Sequence, residues 1–240
     1  MVERTHQLVR YVIFCAVIAI STFGFSATSA YSSVDQMSGW GSCDACAGIG
    51  AAGAAASRVT SITGTPSLDG RSRMFSIASS HAFADAIWWK SMAGNDSKSH
   101  FTYDFYFYIK NPGASEALEF DVNQSAGGRR YVYGTQCGIN YDHQWDVWDT
   151  AGGHWVKTGV PCTGVQAYAW NHVTWEFSRS NGQIHFIAVT LNGNKSYVNR
   201  TYNSKAWGGG GELNVAFQMD QTGSHTTFDV WLDKITVTQY

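Results

Sequence analysis

The chain has 240 residues, with 16 Lys and Arg against 18 Asp and Glu and a formal net charge of −2. It carries no basic excess and no Lys/Arg run, which argues against nucleic acid as a partner. Fifteen per cent of the residues are aromatic and 14% charged, and 25 glycines, 10 tryptophans and three prolines complete the composition of an exported, all-β domain.

The first thirty residues stand apart. Arg4 and Arg10 flank the start of an apolar run over residues 11–25, and Thr28-Ser29-Ala30 follow. This charged, apolar, small-residue order is that of a secretory signal peptide, and the run is short for a membrane span. A retained N-terminal anchor is the alternative. Residues 1–30 are thus read as signal peptide. Residues 31–72 form an N-terminal strand and a Gly/Ala-rich loop belonging to the domain, and residues 73–240 the β-sandwich core. The expected location is secreted or extracellular, with periplasm and cell surface included, and no membrane contact follows cleavage. Cys43, Cys46, Cys137 and Cys162 remain, an even number that suggests two disulfides. Spacing favours Cys43–Cys46 and Cys137–Cys162.

Along the chain, an edge strand is expected to end near Gly39-Trp40, and residues 48–56 are a Gly/Ala run. Short strands follow over residues 73–78 and 86–90. Residues 100–110 alternate without a break: Phe101, Tyr103, Phe105, Phe107 and Ile109 share one face, and Thr102, Asp104, Tyr106 and Tyr108 the other. After a turn signal at Asn111-Pro112-Gly113-Ala114, residues 117–124 alternate again. Leu118, Phe120 and Val122 oppose Glu119, Asp121 and Asn123. Paired as a hairpin, these two strands would bring Asp104, Tyr106 and Tyr108 beside Glu119, Asp121 and Asn123 on one sheet face. Further strands are expected over residues 130–137, 144–149, 154–157, 170–179, 183–191, 195–202, 213–220 and 227–239. Asn181-Gly182 and Asn192-Gly193 mark hairpins. Strands recurring every eight to fifteen residues, without an amphipathic helix, describe a two-sheet antiparallel β-sandwich, most simply a jelly roll.

With this strand order the chain resembles the concanavalin A-like lectin and glucanase superfamily over residues 101–240. Glu119-Phe120-Asp121 looks like the Glu-x-Asp triplet of laminarinase-type and cellobiohydrolase-type hydrolases. With Asn123 it also looks like the metal-binding strand of legume lectins. The order Gln144-Trp145-Asp146-Val147-Trp148, then residues 213–220 ending in Asp220, is similar to that of small jelly-roll endoglucanases. The laminarinase pattern needs a second glutamate where this chain has Gln124. The endoglucanase pattern makes Glu119 the nucleophile and Asp220 the acid/base, with Asp121 tuning the nucleophile. A further resemblance, Gln183-Ile184-His185 with Tyr197 on the next strand, is to jelly-roll alginate lyases, in which His and Tyr move the sugar-ring proton.

The leading expectation is a carbohydrate-binding protein that recognises a polysaccharide or oligosaccharide. Its contacts would come from Asp104, Tyr106, Tyr108, Glu119, Asp121 and Asn123 and from among Trp145, Trp148, Trp155 and Trp207. The alternatives are a retaining glycoside hydrolase using Glu119, Asp121 and Asp220, and a lyase using His185 and Tyr197. No cofactor is expected; calcium is the structural cation that Glu119, Asp121 and Asn123 would suit.

Overall fold

A computed structural model describes residues 28–44 and 57–240. Its strands are, in chain order, β1 (Ser29–Tyr31), β2 (Gly41–Asp44), β3 (Ser57–Thr63), β4 (Ser72–Ala78), β5 (Asp85–Ala93), β6 (His100–Ile109), β7 (Ser115–Ala126), β8 (Arg129–Tyr133) and β9 (Thr135–Cys137). They continue as β10 (Gln144–Asp149), β11 (His154–Pro161), β12 (Trp170–Ser180), β13 (Gln183–Leu191), β14 (Asn194–Asn203), β15 (Lys205–Ala206), β16 (Glu212–Gln221) and β17 (Phe228–Gln239). Two antiparallel sheets result. The first runs β14-β13-β12-β6-β17-β4-β3, with β1 on β17. The second runs β11-β10-β9-β7-β16-β5-β2, with β8 on β7 and β15 on β8. This is the expected two-sheet jelly-roll sandwich.

Each long strand carries one apolar face, and the two sheets bury these faces against each other. Phe101, Tyr103, Phe105, Phe107 and Ile109 of β6 meet Leu118, Phe120 and Val122 of β7 in one core. The Phe105 and Phe120 rings stack with centroids 4.6 Å apart. Each such ring, once buried, contributes about 1.5–3 kcal/mol relative to exposure.

That contact also corrects the expected hairpin. β6 pairs with β12 and β17 in the first sheet, whereas β7 pairs with β16, β8 and β9 in the second. The turn signal at Asn111 forms a 3-10 turn, Pro112–Ala114, that carries the chain from one sheet to the other. Alternation fixes which face of a strand is buried; it does not say whether the next strand lies beside it or across the core.

Smaller differences have local causes. The expected strand over residues 130–137 is two, β8 and β9, separated at Gly134. The edge strand expected before Trp40 is a 3-10 turn, Val34–Gln36, and β2 begins only at Gly41. β3 adds an edge to the first sheet that composition did not flag. Cys137 and Cys162 form a disulfide with Cα atoms 5.9 Å apart. Cys46 and the Gly/Ala run lie outside the described residues, as does the signal-peptide segment apart from residues 28–30. Among the described residues no helix is long and apolar enough to cross a membrane.

Candidate functional site on the outer face of the second sheet

Because Leu118, Phe120 and Val122 point into the core, Glu119, Asp121 and Asn123 point out of the second sheet. The same alternation on β16 buries Leu213, Val215, Phe217 and Met219, which sends Asn214, Ala216, Gln218 and Asp220 to that outer face. Registers then assemble rows across the strands. In one row Ile87, Gln218, Glu119, Gln136 and Asp146 lie side by side. In the next, Trp89, Ala216 and Asp121 lead to Gly134 and Trp148. Asp85 and Asp220 pair in a third row, and Ser91, Asn214 and Asn123 in a fourth.

The row between the tryptophans is nearly bare of side chains. A Cβ on Gly134 would stand 2.8 Å from Trp148 Cβ and 3.5 Å from Asp121 Oδ1, so only glycine lets these two approach. At the other end a Cβ on Gly41 would meet the Trp89 ring at 2.5 Å. The indole therefore lies over the bare backbone of β2. Trp89 is 36% exposed. Four strand spacings separate it from Trp148, about 19 Å. Trp155 packs edge-on against Trp148 from β11, centroids 5.2 Å apart.

The carboxyl groups sit beside this floor. Gln218 Nε2 donates to Glu119 Oε1 at 2.8 Å and to Asp220 Oδ1 at 2.9 Å. These two oxygens can therefore be no farther apart than the two bonds laid end to end, comparable with the roughly 5–5.5 Å of a retaining glycosidase pair. The backbone N–H of Thr135 donates to Asp121 Oδ1 at 3.1 Å. Glu119 is held well above the ordinary carboxyl range, first by burial and then by the carboxylates of Asp220, Asp121 and Asp85. Burial is also the main cause that pushes Asp121 and Asp220 each up to about 7. Asp146 rises to about 6 through burial and the nearby Asp142, against Lys157.

The expected contact residues separate into groups. Glu119, Asp121, Asn123, Trp148, Trp155 and Asp220 share the outer face of the second sheet. Asn123 Nδ2 donates to Asn214 Oδ1 at 3.0 Å. Trp207 is exposed and stacks on Arg130, the Arg130 guanidinium lying 5.0 Å from its ring centroid. Trp145 is excluded as a contact: it is fully buried, edge-on to Trp175 across the core at 5.4 Å. Asp104, Tyr106 and Tyr108 belong to the first sheet and face away from Glu119, a consequence of the missing hairpin. Asp104 there binds His172 Nε2 at 2.9 Å, and the His172 ring stacks on Tyr106.

The His185 and Tyr197 pairing does not form. His185 lies opposite Thr201 and Tyr197 opposite Ala188, both in the first sheet. Gln124 faces inward, accepting from Arg179 Nε at 2.7 Å and donating to Lys98 O and Asn95 O. A glutamate there would not reach the outer face, because β7 keeps unbroken alternation through this position. Among the described residues, no group of three or more His, Cys, Asp or Glu is arranged to hold a metal ion.

Sequence reasoning missed Trp89, Asp85, Gln136, Asn214 and, most of all, Gln218. The signal for Gln218 was present: period two along residues 213–220 puts it on the face of Asp220.

No known family model matches the chain, and no curated protein matches it in sequence. Solved structures do match in shape. Arcelin-5, a lectin-like defense protein from Phaseolus vulgaris, aligns at 11% identity with a TM-score of 0.52, over 89% of this chain and 98% of that one. The cellulose-induced protein Cip1 aligns at 12% identity with a TM-score of 0.53, over 86% of this chain and 96% of that one. A structure of carbohydrate-binding modules from the β-sandwich superfamily aligns at 13% identity and a TM-score of 0.45, over 84% of this chain, which spans 57% of that one. At these identities the likeness is one of fold. The chain shares its two-sheet jelly-roll β-sandwich with the lectin-like arcelin-5.

Proposed function

We propose that the outer face of the second sheet binds a polysaccharide chain laid across its strands. The observation that carries this is the row Trp89, Ala216, Asp121, Gly134 and Trp148: a floor kept low by Ala216 and Gly134 between two indoles, with Glu119, Gln218, Gln136 and Asp146 along one side and Asn123 and Asn214 along the other. Sugar rings present C–H faces that suit an indole plane and hydroxyls that pair with carboxylates and amides. A floor of about 19 Å, four strand spacings, accommodates several sugar units. The lectin-like and carbohydrate-binding proteins that share the fold are consistent with this use. Affinity electrophoresis across soluble glucans, xylans, mannans and glucosamine polymers tests it. Retardation that disappears in Trp148→Ala supports the site, and unchanged mobility in every gel refutes it.

One observation favours a second reading, retaining glycoside hydrolysis. Glu119 and Asp220 hold the two ends of one amide, in a site where burial and mutual repulsion keep carboxyls protonated well above their ordinary range. Such a pair carries a proton at near-neutral pH, as an acid/base must, and leaves its partner to attack the anomeric carbon. In this assignment Glu119 is the nucleophile, Asp220 the acid/base and Asp121 the neighbour that adjusts the nucleophile, which requires Glu119 to be ionised against the burial and the Asp220 charge that raise it. Release of reducing ends by the purified chain, absent in Glu119→Gln, would establish turnover. Binding with no release above that control would leave a binding protein.

A further inference from the structure

The charge at the centre of this face is one-sided, with Arg130, Lys205 and Lys157 at its margins. The charged groups that act on Glu119 are Asp220, Asp121 and Asp85, and those that act on Asp220 are Asp85, Glu116 and Asp121; all are carboxylates. The rows between Trp89 and Trp148 contain no Lys, Arg or His among the described residues. Lys157, beside Asp146 at the margin, is already bonded to Asp142 at 3.2 Å.

The amide at the centre is occupied on one side only. Gln218 is 5% exposed; its Nε2 serves Glu119 and Asp220, while its Oε1 is buried with no hydrogen-bond partner. Asp146, 1% exposed, likewise has Oδ1 without a partner. Both unfilled groups are acceptors. Acceptors crowded together without donors or cations penalise each other, and a ligand that brings both relieves the penalty. A uronic acid chain would add to the repulsion. A neutral chain would bring hydroxyl donors but no charge.

We propose that the saccharide bound here carries free amino groups, as in a polymer of glucosamine. Its ammonium groups would lie among Glu119, Asp121 and Asp220, releasing to solvent the protons that these carboxyls hold near neutral pH, and its ring faces on Trp89 and Trp148. This rests on the reading of the outer face as a saccharide site. The ammonium supplies three donors and one positive charge to a place where Glu119, Asp220 and Asp121 accept from the uncharged Gln218 amide and Thr135 N–H.

The test uses the full chain and four hexasaccharides: glucosamine, cellohexaose, N-acetylglucosamine and galacturonic acid. The first three share one backbone and differ only at the 2-substituent. Titration calorimetry at about 50 mM salt should give the glucosamine hexamer about tenfold or greater advantage over cellohexaose, shrinking to within about threefold at about 1 M salt. Asp121→Asn combined with Asp220→Asn should erase the advantage, and a thermal melt checks that this variant folds. Should it not fold, the salt series on the unaltered protein decides. Equal affinity for cellohexaose or the N-acetyl hexamer overturns the amino-sugar inference and leaves the saccharide site standing. So does a preference that salt does not touch, or tighter binding of the galacturonate. No binding of any hexamer overturns the site itself, and this inference with it.

Discussion

The two sheets each turn a polar face outward, and the two faces treat their charges differently. On the first sheet Asp104 meets His172 at 2.9 Å, Lys195 meets Glu176 at 2.6 Å, and Lys110 lies 4.9 Å from the centroid of the Trp231 ring. Each of these charges has an opposite charge, an imidazole or an aromatic ring as its partner. On the second sheet Glu119, Asp121 and Asp220 stand among one another, and repulsion adds to burial in raising Glu119 and Asp220. Polar residues on a strand therefore do not by themselves mark a site. Raised carboxyls gathered on an outer face between two partly exposed indoles are a stronger mark, since burial by itself also raises Asp35, which lies in the 3-10 turn Val34–Gln36, to about 6.

Strand β10 offers the sharpest way to break the comparison, since it serves both the interior and the outer face. Trp145→Ala should destabilise the fold by about 3–5 kcal/mol, the range for deleting a buried aromatic, read as a loss in denaturation midpoint. Three residues on, Trp148→Ala should leave most of that stability and weaken saccharide binding by about 1–3 kcal/mol. If instead the second change unfolds the chain and the first spares it, the assignment of the faces is reversed.

The raised carboxyls predict a pH signature. Asp121 and Asp220 bind protons in the folded state up to about 7, whereas the unfolded chain releases them near the ordinary 3.8. Their contribution to stability is complete below about 4 and is lost as pH rises through about 7. Asp121→Asn with Asp220→Asn removes that loss. The melting temperature of this variant relative to the unaltered protein should rise steadily from pH 4 to pH 8, by the equivalent of up to roughly 4 kcal/mol for each group. A flat difference would mean that these groups are not perturbed. The smallest effect belongs to the first sheet: Asp104→Asn breaks a half-exposed pair and should cost under about 1 kcal/mol. Saccharide affinity should not change with it.

Much of this was legible in the sequence. Unbroken alternation placed β6, β7, β10, β12, β13 and β16 within a few residues of their bounds, and it put Glu119, Asp121 and Asn123 on one outward face. It could not say that β6 and β7 lie in different sheets, since either arrangement buries Phe105 and Phe120. The tyrosines thus went to the wrong face along with Asp104. Trp145 and Trp148 differ by three positions, so they point to opposite sides of β10, yet composition weighed them alike. Gln218 escaped because a lone glutamine has no catalytic signature; its meaning comes only from Glu119 lying opposite it on β7.

The most direct test follows the tryptophan indole N–H resonances of the ¹⁵N-labelled protein while the tightest-binding hexasaccharide is added. Docking on the second sheet predicts that the Trp89 and Trp148 signals move together and saturate with the calorimetric affinity, with Trp155 following through its contact. Trp170 and Trp231 of the first sheet should stay in place. Saturating shifts at Trp170 and Trp231, with Trp89 and Trp148 unmoved, would contradict the account and move the binding site to the opposite side of the sandwich.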